Sequence, residues 1–587
     1  MVIDILGAIL IFTVAVLLAL PVALLMKKTY RGERSFMDFM LPVERFIFKI
    51  CGIDATKEMD WKTYLLTLLL LQVIWFVFAF VILLIQGHLF LNPAHIPNME
   101  WTLAFNSAIS FLTSTNLQHY SGETGASYLS QLIVFMFLQF TSAATSLCAG
   151  VAIVRGLSVN STFTLGNFYN DFVRSYTRIL LPLSMLVSVI FLFNGMPMTF
   201  HGPKEIVTLQ GDTTHVALGP AVAMLPIKDL GSNGGGFYGA NAAHPFENPN
   251  FITFIVHLII VLLLPAAFVF FIGQYLGRKK FGYMLLGVMM AGFILTVLPI
   301  VNSEVVGNSH IASFGISQPM GNMEGKEVRY GGFYSAFYST VNMVIPAGTI
   351  TGMHDSYMPL SSIGMLMGMQ VDAFFGGLGT GWINMFIYLI IAVFIASLMI
   401  GRTPELVGRK ISLKEIQVAV IISILSFSVP LILTAIACFV YVHYPGGNDA
   451  LGWLSNKGPH GFTTMFYEYV SSMAGNGSEF SGLGNNTAYW NLTTCIPMLM
   501  GRYIPIIGAF IIIGSYMTKL YVEPSFGTLK TESSTFGLFL FCVIMILSVL
   551  SMFIVFMIGP IGEHFNTKQS VVVKECWHLI YLRPYLV

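Results

Sequence analysis

Ten apolar runs punctuate the chain, at about 4–26, 62–86, 127–154, 178–196, 251–276, 281–301, 360–400, 416–443, 489–518 and 534–559. A helix rising 1.5 Å per residue needs about 20 apolar residues to cross the hydrocarbon core of a bilayer, so each run predicts a membrane span. The first run follows Asp4 rather than a basic segment and is too long for a signal h-region, which makes it a retained span. The seventh is too long for one straight helix, and Gly376-Gly377-Leu378-Gly379 interrupts it.

An even number of spans puts both chain ends on one side of the membrane, and the basic residues choose the side. Lys27, Lys28, Arg31, Arg34, Arg45, Lys49 and Lys57 follow the first span, Arg155, Arg174 and Arg178 the third, and Arg278, Lys279 and Lys280 the fifth. Arg402, Arg409, Lys410 and Lys414 follow the seventh. Between them, 87–125 holds no Lys or Arg and 444–487 holds only Lys457. Basic residues mark cytoplasmic loops, so both termini are predicted extracytoplasmic and the bare loops face outward.

Each outward loop repeats one arrangement: a short apolar segment runs into small and polar residues. Asn106 to Phe111 leads to Leu112-Thr113-Ser114-Thr115-Asn116-Leu117-Gln118, and the second loop holds Ser232-Asn233-Gly234-Gly235-Gly236. Gly332 to Ile345 leads to Pro346-Ala347-Gly348-Thr349, and Phe462 to Met473 leads to Ala474-Gly475-Asn476-Gly477-Ser478. The pattern divides the chain into a first span with a cytoplasmic loop (1–60), four span–pore loop–span units (61–156, 172–277, 280–402 and 415–520), a last span (533–560) and a tail without an assigned role (561–587). The units resemble one another in hydropathy and loop chemistry, not in residue identity. The predicted fold class is an all-α polytopic membrane protein of about ten transmembrane helices, its four pseudo-symmetric units arranged as in a potassium channel.

Three consecutive glycines cannot serve helix stability, since each costs about 1 kcal/mol relative to alanine. They suit backbone that turns unusually and exposes its carbonyls at close range. In a bilayer such backbone survives only where protein buries it or a wet cavity receives it, and a filter of carbonyl oxygens has that requirement. A re-entrant or surface loop using glycine for tight turning is the plainer reading of any one loop; four in succession favour the filter. The four segments contain no Asp, Glu, Lys or Arg, and Glu479 comes just after the fourth. An anion pore would use Lys or Arg and a calcium site a ring of carboxylates, so a monovalent cation is indicated. Gly234, Gly348 and Gly477 can adopt positive φ, whereas the first loop offers Asn116, the side chain that next best tolerates it. The site is therefore expected to be pseudo-symmetric.

Composition supports the membrane class. Of 587 residues, 55% are hydrophobic and 10% charged, where soluble domains carry about 25% charged. Net charge +1 provides no basic surface for nucleic acid, and six cysteines without CxxC spacing suggest packing rather than a metal cluster or disulfide framework. The glycine-rich 231–236 lacks GxxxxGK[ST], and no nucleotide loop is visible elsewhere.

Longer strings carry a resemblance. SGE (121–123), GSNGGGFYGANAAHPFENP (231–249), GNMEGKE (321–327), MHDS (353–356), FIASLMIGRTPELVGRKI (394–411), GPHGF (458–462) and the 476–483 segment resemble the potassium-translocating A subunit of the Kdp pump, over nearly the whole chain to about residue 560. The resemblance implies a polypeptide of a bacterial cell membrane that takes potassium from outside through the four-loop filter. It would pass the ion through an intersubunit tunnel to the pump's P-type ATPase subunit, which alone binds and hydrolyses ATP. This chain would then not be an enzyme by itself, potassium would be its transported substrate, and the small C and F subunits would be further partners. The implied filter residues are Thr113, Ser114, Thr115 and Asn116; Ser232, Asn233 and Gly234; Pro346, Ala347 and Gly348; and Gly475, Asn476 and Gly477. Gln118 matches a position tied to potassium affinity. Pro346-Ala347 stands where Ser-Cys is commoner in the family, Gly475 stands where Asn is, and the residues from about 565 run beyond the usual family ending.

Asp372, inside an apolar run, could bind potassium in transit or help gate the inward path; a paired structural acid is the alternative. Arg502 could be an electrostatic barrier beneath the filter or a snorkelling arginine. Gly376, Gly377 and Gly379 could form a flexible gate or simply allow close helix packing. His354-Asp355 and His244 with Glu247 are expected to stabilise loops by hydrogen bonding. A stand-alone potassium channel or ion-coupled carrier fits the four loops equally well, and a polytopic lipid enzyme is a third class; only the family strings prefer the pump subunit.

Overall fold

The computed structural model describes residues 2–158, 163–444, 448–522 and 529–566. Among the described residues, 10 helices are long and apolar enough to cross a membrane. The chain begins with α1 (Val2–Arg31) and α2 (Leu41–Cys51). The first unit is α3 (Trp61–Ile85), the short α4 (Trp101–Leu112) and α5 (Ser130–Leu157). The second is α6 (Phe168–Phe193), a hairpin of β1 (Lys204–Val207) and β2 (Thr213–Val216), the short α7 (Ala221–Leu230) and α8 (Phe251–Tyr275). The third is α9 (Lys279–Val306), the short α10 (Gly331–Val344) and a broken span of α11 (Pro359–Val371) and α12 (Thr380–Ile400). The fourth is α13 (Leu413–His443), the short α14 (Pro459–Ala474) and α15 (Ala488–Met517), and α16 (Ser534–Asn566) ends the described chain. Residues 561–566 of the expected tail are the last turns of α16, and 567–587 lie outside the described residues.

Burial separates the spans into two shells. The closing helices α5, α8, α12 and α15 bury 78%, 83%, 67% and 50% of their most apolar stretch, whereas the opening helices α3, α6, α9 and α13 bury 22–44%. The closing helices therefore line the axis and the opening helices face lipid. Outside them, α1 packs on α8 through buried Ala8, Ala15, Ala19 and Ala23. Small side chains let helix backbones approach where lipid supplies no hydrophobic drive, while Leu10, Leu17 and Leu24 on α1 remain exposed.

The fourth span begins ten residues ahead of the hydropathy boundary at 178. Asn170, Asp171, Arg174 and Arg178 mask it in the sequence, but Asp171 pairs with Arg155 at 2.8 Å and Arg178 with Glu44 at 2.8 Å. Glu44 comes from α2, whose other face presents Val43, Phe46 and Ile50 to the outside. An amphipathic helix so oriented lies along a membrane surface. Two of the short helices are longer than their apolar cores suggested: α14 begins at Pro459, and α4 extends from Trp101 because the Glu100 carboxylate caps the amides of Thr102 and Leu103.

Candidate ion-binding site

The four short helices, of 12, 10, 14 and 16 residues, reach about 15–24 Å at 1.5 Å per residue, too little to span. Each ends at one of the four candidate filter segments, so the partial negative charge of each helix C-terminus is delivered to the same region.

The backbone of the four segments shares one alternation. Positive φ occurs at Ser114 and Asn116 (65° and 54°), at Ser232 and Gly234 (50° and 86°), at Pro346 and Gly348 (21° and 51°), and at Gly475 and Gly477 (66° and 89°). Residues of opposite hand in alternation allow successive carbonyls to face one way, which a strand cannot do and a carbonyl filter requires. Neither serine nor proline adopts this conformation readily, so surrounding contacts must impose it.

Those contacts close a ring. A Cβ built on Gly234 would lie 1.9 Å from the Ala347 carbonyl oxygen, one on Gly348 2.1 Å from that of Asn476, and one on Gly477 1.9 Å from that of Thr115. Loop two thus abuts loop three, loop three abuts loop four, and loop four abuts loop one. The last quarter is closed differently: Asn116 Nδ2 donates to the Gly234 carbonyl at 2.9 Å. Asn116 stands where the other loops have glycine and reaches its neighbour with a side chain.

Side chains behind the ring hold it. Asn233 Oδ1 accepts from Ser114 Oγ at 2.5 Å and Ser142 Oγ at 2.8 Å, while its Nδ2 donates to Gln139 O at 3.1 Å. Asn476 Nδ2 donates to Asn342 O at 3.0 Å. Gln118 exchanges two hydrogen bonds with the Gly236 backbone, at 2.8 and 3.1 Å, and so ties loop one to loop two above the ring. Ser232 Oγ and Asn116 Oδ1 are buried without a hydrogen-bond partner among the described residues, an arrangement suited to oxygens facing a cation.

Below the ring lies a cavity of about 20 Å³, lined by residues of all four loops together with Asp372, Gly377, Thr380 and Arg502. That volume holds about one water-sized body. Asp372 caps α11 with positive φ and accepts from Asn384 Nδ2 at 2.6 Å. Arg502 donates to Ser142 O at 3.0 Å and to Ser146 Oγ. Both line the cavity without forming an ion pair with each other. A second cavity of about 30 Å³ shares Asp372, Ala474 and Gly501 with the first and is lined further by Gln370, Asn384, Ser423 and Ser426. Gly376 and Gly379, both with positive φ, leave no room for a side chain: a Cβ on Gly376 would lie 2.2 Å from Gly381 Cα, and one on Gly379 2.2 Å from Ser146 O. Gly377 lines the upper cavity.

Among the supporting residues, Lys228, Asp229, His257 and His460 are not evident from the sequence, whereas Glu247, Asp355 and His354 make the loop hydrogen bonds expected of them. Fully buried Lys228 pairs with Glu247 at 2.9 Å, and Glu247 also accepts from the Tyr238 amide at 2.9 Å. Asp229 contacts His257 and accepts from Thr349 Oγ1 of loop three at 3.2 Å. The available signal was the Lys228-Asp229 pair inside a short apolar helix. Above the filter, Glu479 accepts from the Gln118 amide at 3.1 Å. Burial, then the neighbouring Glu468 carboxylate, push the Glu479 carboxyl upward from its ordinary range. His460 bridges Asp355 and Glu563 at 3.0 and 2.9 Å. Burial alone would lower its imidazole, but the hydrogen bonds to these two carboxylates outweigh it and raise the group to about 10. His354, bonded to Ser339 and Tyr467, is held near 3 by burial and then by the Lys326 charge.

A family model described as "KdpA: Potassium-transporting ATPase A subunit" matches residues 9–565. A potassium-transporting ATPase potassium-binding subunit of Flavobacterium psychrophilum is 48% identical over 571 residues, covering 96% of this chain and 100% of that protein. The corresponding subunit of Bacteroides thetaiotaomicron is 45% identical over 564 residues (96% and 99%), and that of Geobacillus kaustophilus 40% over 559 (95% and 98%). Among solved structures, the potassium transporter TrkH from Vibrio parahaemolyticus aligns with a TM-score of 0.50 at 16% identity, over 85% of this chain and 97% of that one, a likeness of fold.

Proposed function

The chain belongs to the family of potassium-transporting ATPase A subunits, and from that premise we propose that its four loops bind potassium at the outer face and release it sideways to an ATP-hydrolysing partner. One observation carries the reading: Asn116, Gly234, Gly348 and Gly477 close four dissimilar loops into a ring whose polar groups are backbone carbonyls, hydroxyls and amides. A bare alkali ion needs several oxygens at one distance to replace its water, and neutral oxygens bind it firmly enough to select and weakly enough to release. Thr113 to Asn116, Ser232 to Gly234, Pro346 to Gly348 and Gly475 to Gly477 supply them. Gln118 sets affinity indirectly, by fixing loop one against the Gly236 backbone.

The exit is lateral in this reading. Arg502 places a positive charge directly below the filter, which opposes straight passage of a cation. Asp372, lining both cavities, offers the compensating carboxylate on the sideways route. The receiving partner is the P-type ATPase subunit, with the C and F subunits completing the complex, and ATP is bound only by the partner. The broken seventh span serves the path by exposing the Asp372 region between α11 and α12, and its tightly packed glycines fix that break.

The test is potassium uptake in proteoliposomes with and without the ATPase subunit. ATP-dependent uptake that requires the partner supports the pump reading; rapid potassium flux through this chain alone would replace it with a channel. Within the complex, Asp372→Ala is expected to lower turnover or uncouple hydrolysis from uptake while equilibrium potassium binding persists. Wild-type coupling in that variant would remove Asp372 from the path.

A further inference from the structure

On the side of the membrane opposite the filter, the ends of α1 and α8 and the start of α9 enclose a cleft of about 930 Å³. Its wall on α1 is formed by Leu20, Leu24 and Lys27, spaced to share one helix face. At 1.5 Å per residue, Leu24 lies about 4.5 Å and Leu20 about 10 Å deeper along the helix than Lys27. The opposite rim carries Arg278, Lys279 and Lys280. Its one acidic lining residue, Glu532, is engaged by Arg278 at 3.2 Å. Lys27, Lys279 and Lys280 form no ion pair with any described residue. Gln274 lines the same cleft with Oε1 buried and without a hydrogen-bond partner among the described residues.

We propose that this cleft binds one anionic glycerol-headgroup phospholipid of the cytoplasmic leaflet. The apolar wall lies at acyl-chain depth and Leu24 is half exposed, so an acyl chain can lie along α1. The three lysines stand at headgroup height, where a phosphate diester is held by complementary charge; basic clefts between cytoplasmic helix ends take such headgroups. A glycerol hydroxyl donates to the orphaned Gln274 oxygen, which a choline headgroup cannot do. A basic loop required only for topology needs neither the enclosed cleft nor the buried unsatisfied amide. Because α1 packs on α8, a lipid seated here clamps the peripheral first helix to the inner shell.

The full chain, purified as its native complex from membranes, is exchanged into nanodiscs containing phosphatidylglycerol and phosphatidylcholine, and retained lipid is measured by native mass spectrometry after detergent release. Selective retention of phosphatidylglycerol is expected, reduced about tenfold or more by the triple substitution Lys27→Gln, Lys279→Gln and Lys280→Gln. Arg45→Gln with Lys49→Gln, on α2 of the same membrane face, is expected to leave retention unchanged. Equal loss in that control would mean diffuse surface attraction and overturn the site. Displacement of the lipid by millimolar glycerol 3-phosphate would make a free phosphate ester the ligand, again against the proposal. Retention by the separated chain but not by the complex would show a protein partner covering the cleft, which also refutes it.

Discussion

Asn116 Nδ2 donates to the Gly234 carbonyl at 2.9 Å, so a side chain closes the quarter of the ring that backbone-to-backbone contact closes elsewhere. Asn116→Ala removes that tie while keeping a Cβ at a residue already at positive φ. One buried hydrogen bond contributes about 0.5–1.5 kcal/mol, so the potassium concentration for half-maximal ATPase stimulation in the complex should rise about two- to tenfold. An unchanged value would mean that the loops hold their spacing without it.

The filter glycines should separate into two classes. Gly234→Ala, Gly348→Ala and Gly477→Ala each drive a methyl to about 2 Å from a neighbouring loop's carbonyl oxygen and must displace backbone, so potassium affinity should fall at least about tenfold. Gly475→Ala meets nothing nearer than 3.9 Å and bears only the left-handed backbone penalty of about 1–2 kcal/mol. Its affinity should stay within a few-fold of the parent. Potassium titrations of the four variants check the division, and equal effects would contradict the ring contacts.

Pro346 sits at φ 21°, far from the roughly −65° its ring prefers. Pro346→Ser should release strain of order 1–3 kcal/mol and restore an amide N–H to the third loop. A higher Tm of the purified chain is the expected result, with potassium still protecting against unfolding. A lower Tm would mean that the ring of proline contributes packing that outweighs its strain.

His460 joins loop three to the end of α16 through Asp355 and Glu563. Its folded value of about 10 lies above the unfolded value of about 6.5. A raised basic group contributes its full stabilisation below the unfolded value and loses it as pH rises through the folded one. Tm should therefore decline between about pH 6.5 and 10 as the imidazolium between two carboxylates is neutralised. His460→Gln should be less stable at pH 6.5 and show a flatter profile over that window. An identical slope in parent and variant would assign the decline to other groups.

Span number and the four-unit plan were legible because bilayer thickness imposes one length on apolar runs, and the ten spans stand where hydropathy put them. Polar residues inside a span were the exception: Asp171 and Arg178 disguised the start of α6 because their partners, Arg155 and Glu44, are distant in sequence. The in-plane α2 and the outer β1–β2 hairpin were missed because neither has the length that a bilayer enforces. In the candidate site, glycine marked four of the eight residues at positive φ. Asn116 was legible from its tolerance of that conformation, but Ser114, Ser232 and Pro346 were not, since tertiary contacts impose their backbone. The support from Lys228, Asp229 and His257 likewise depends on pairings that only folding reveals.

One polypeptide encodes all four quadrants of the ring, and no two use the same residues. A single codon change therefore alters one quarter of the proposed ligand set, whereas in a homotetramer it would alter every quarter at once. Proline can occupy the third quadrant while serine and glycine remain in the others. Ion preference in such a chain can be tuned in small, separately inherited steps, each tested against three unaltered neighbours.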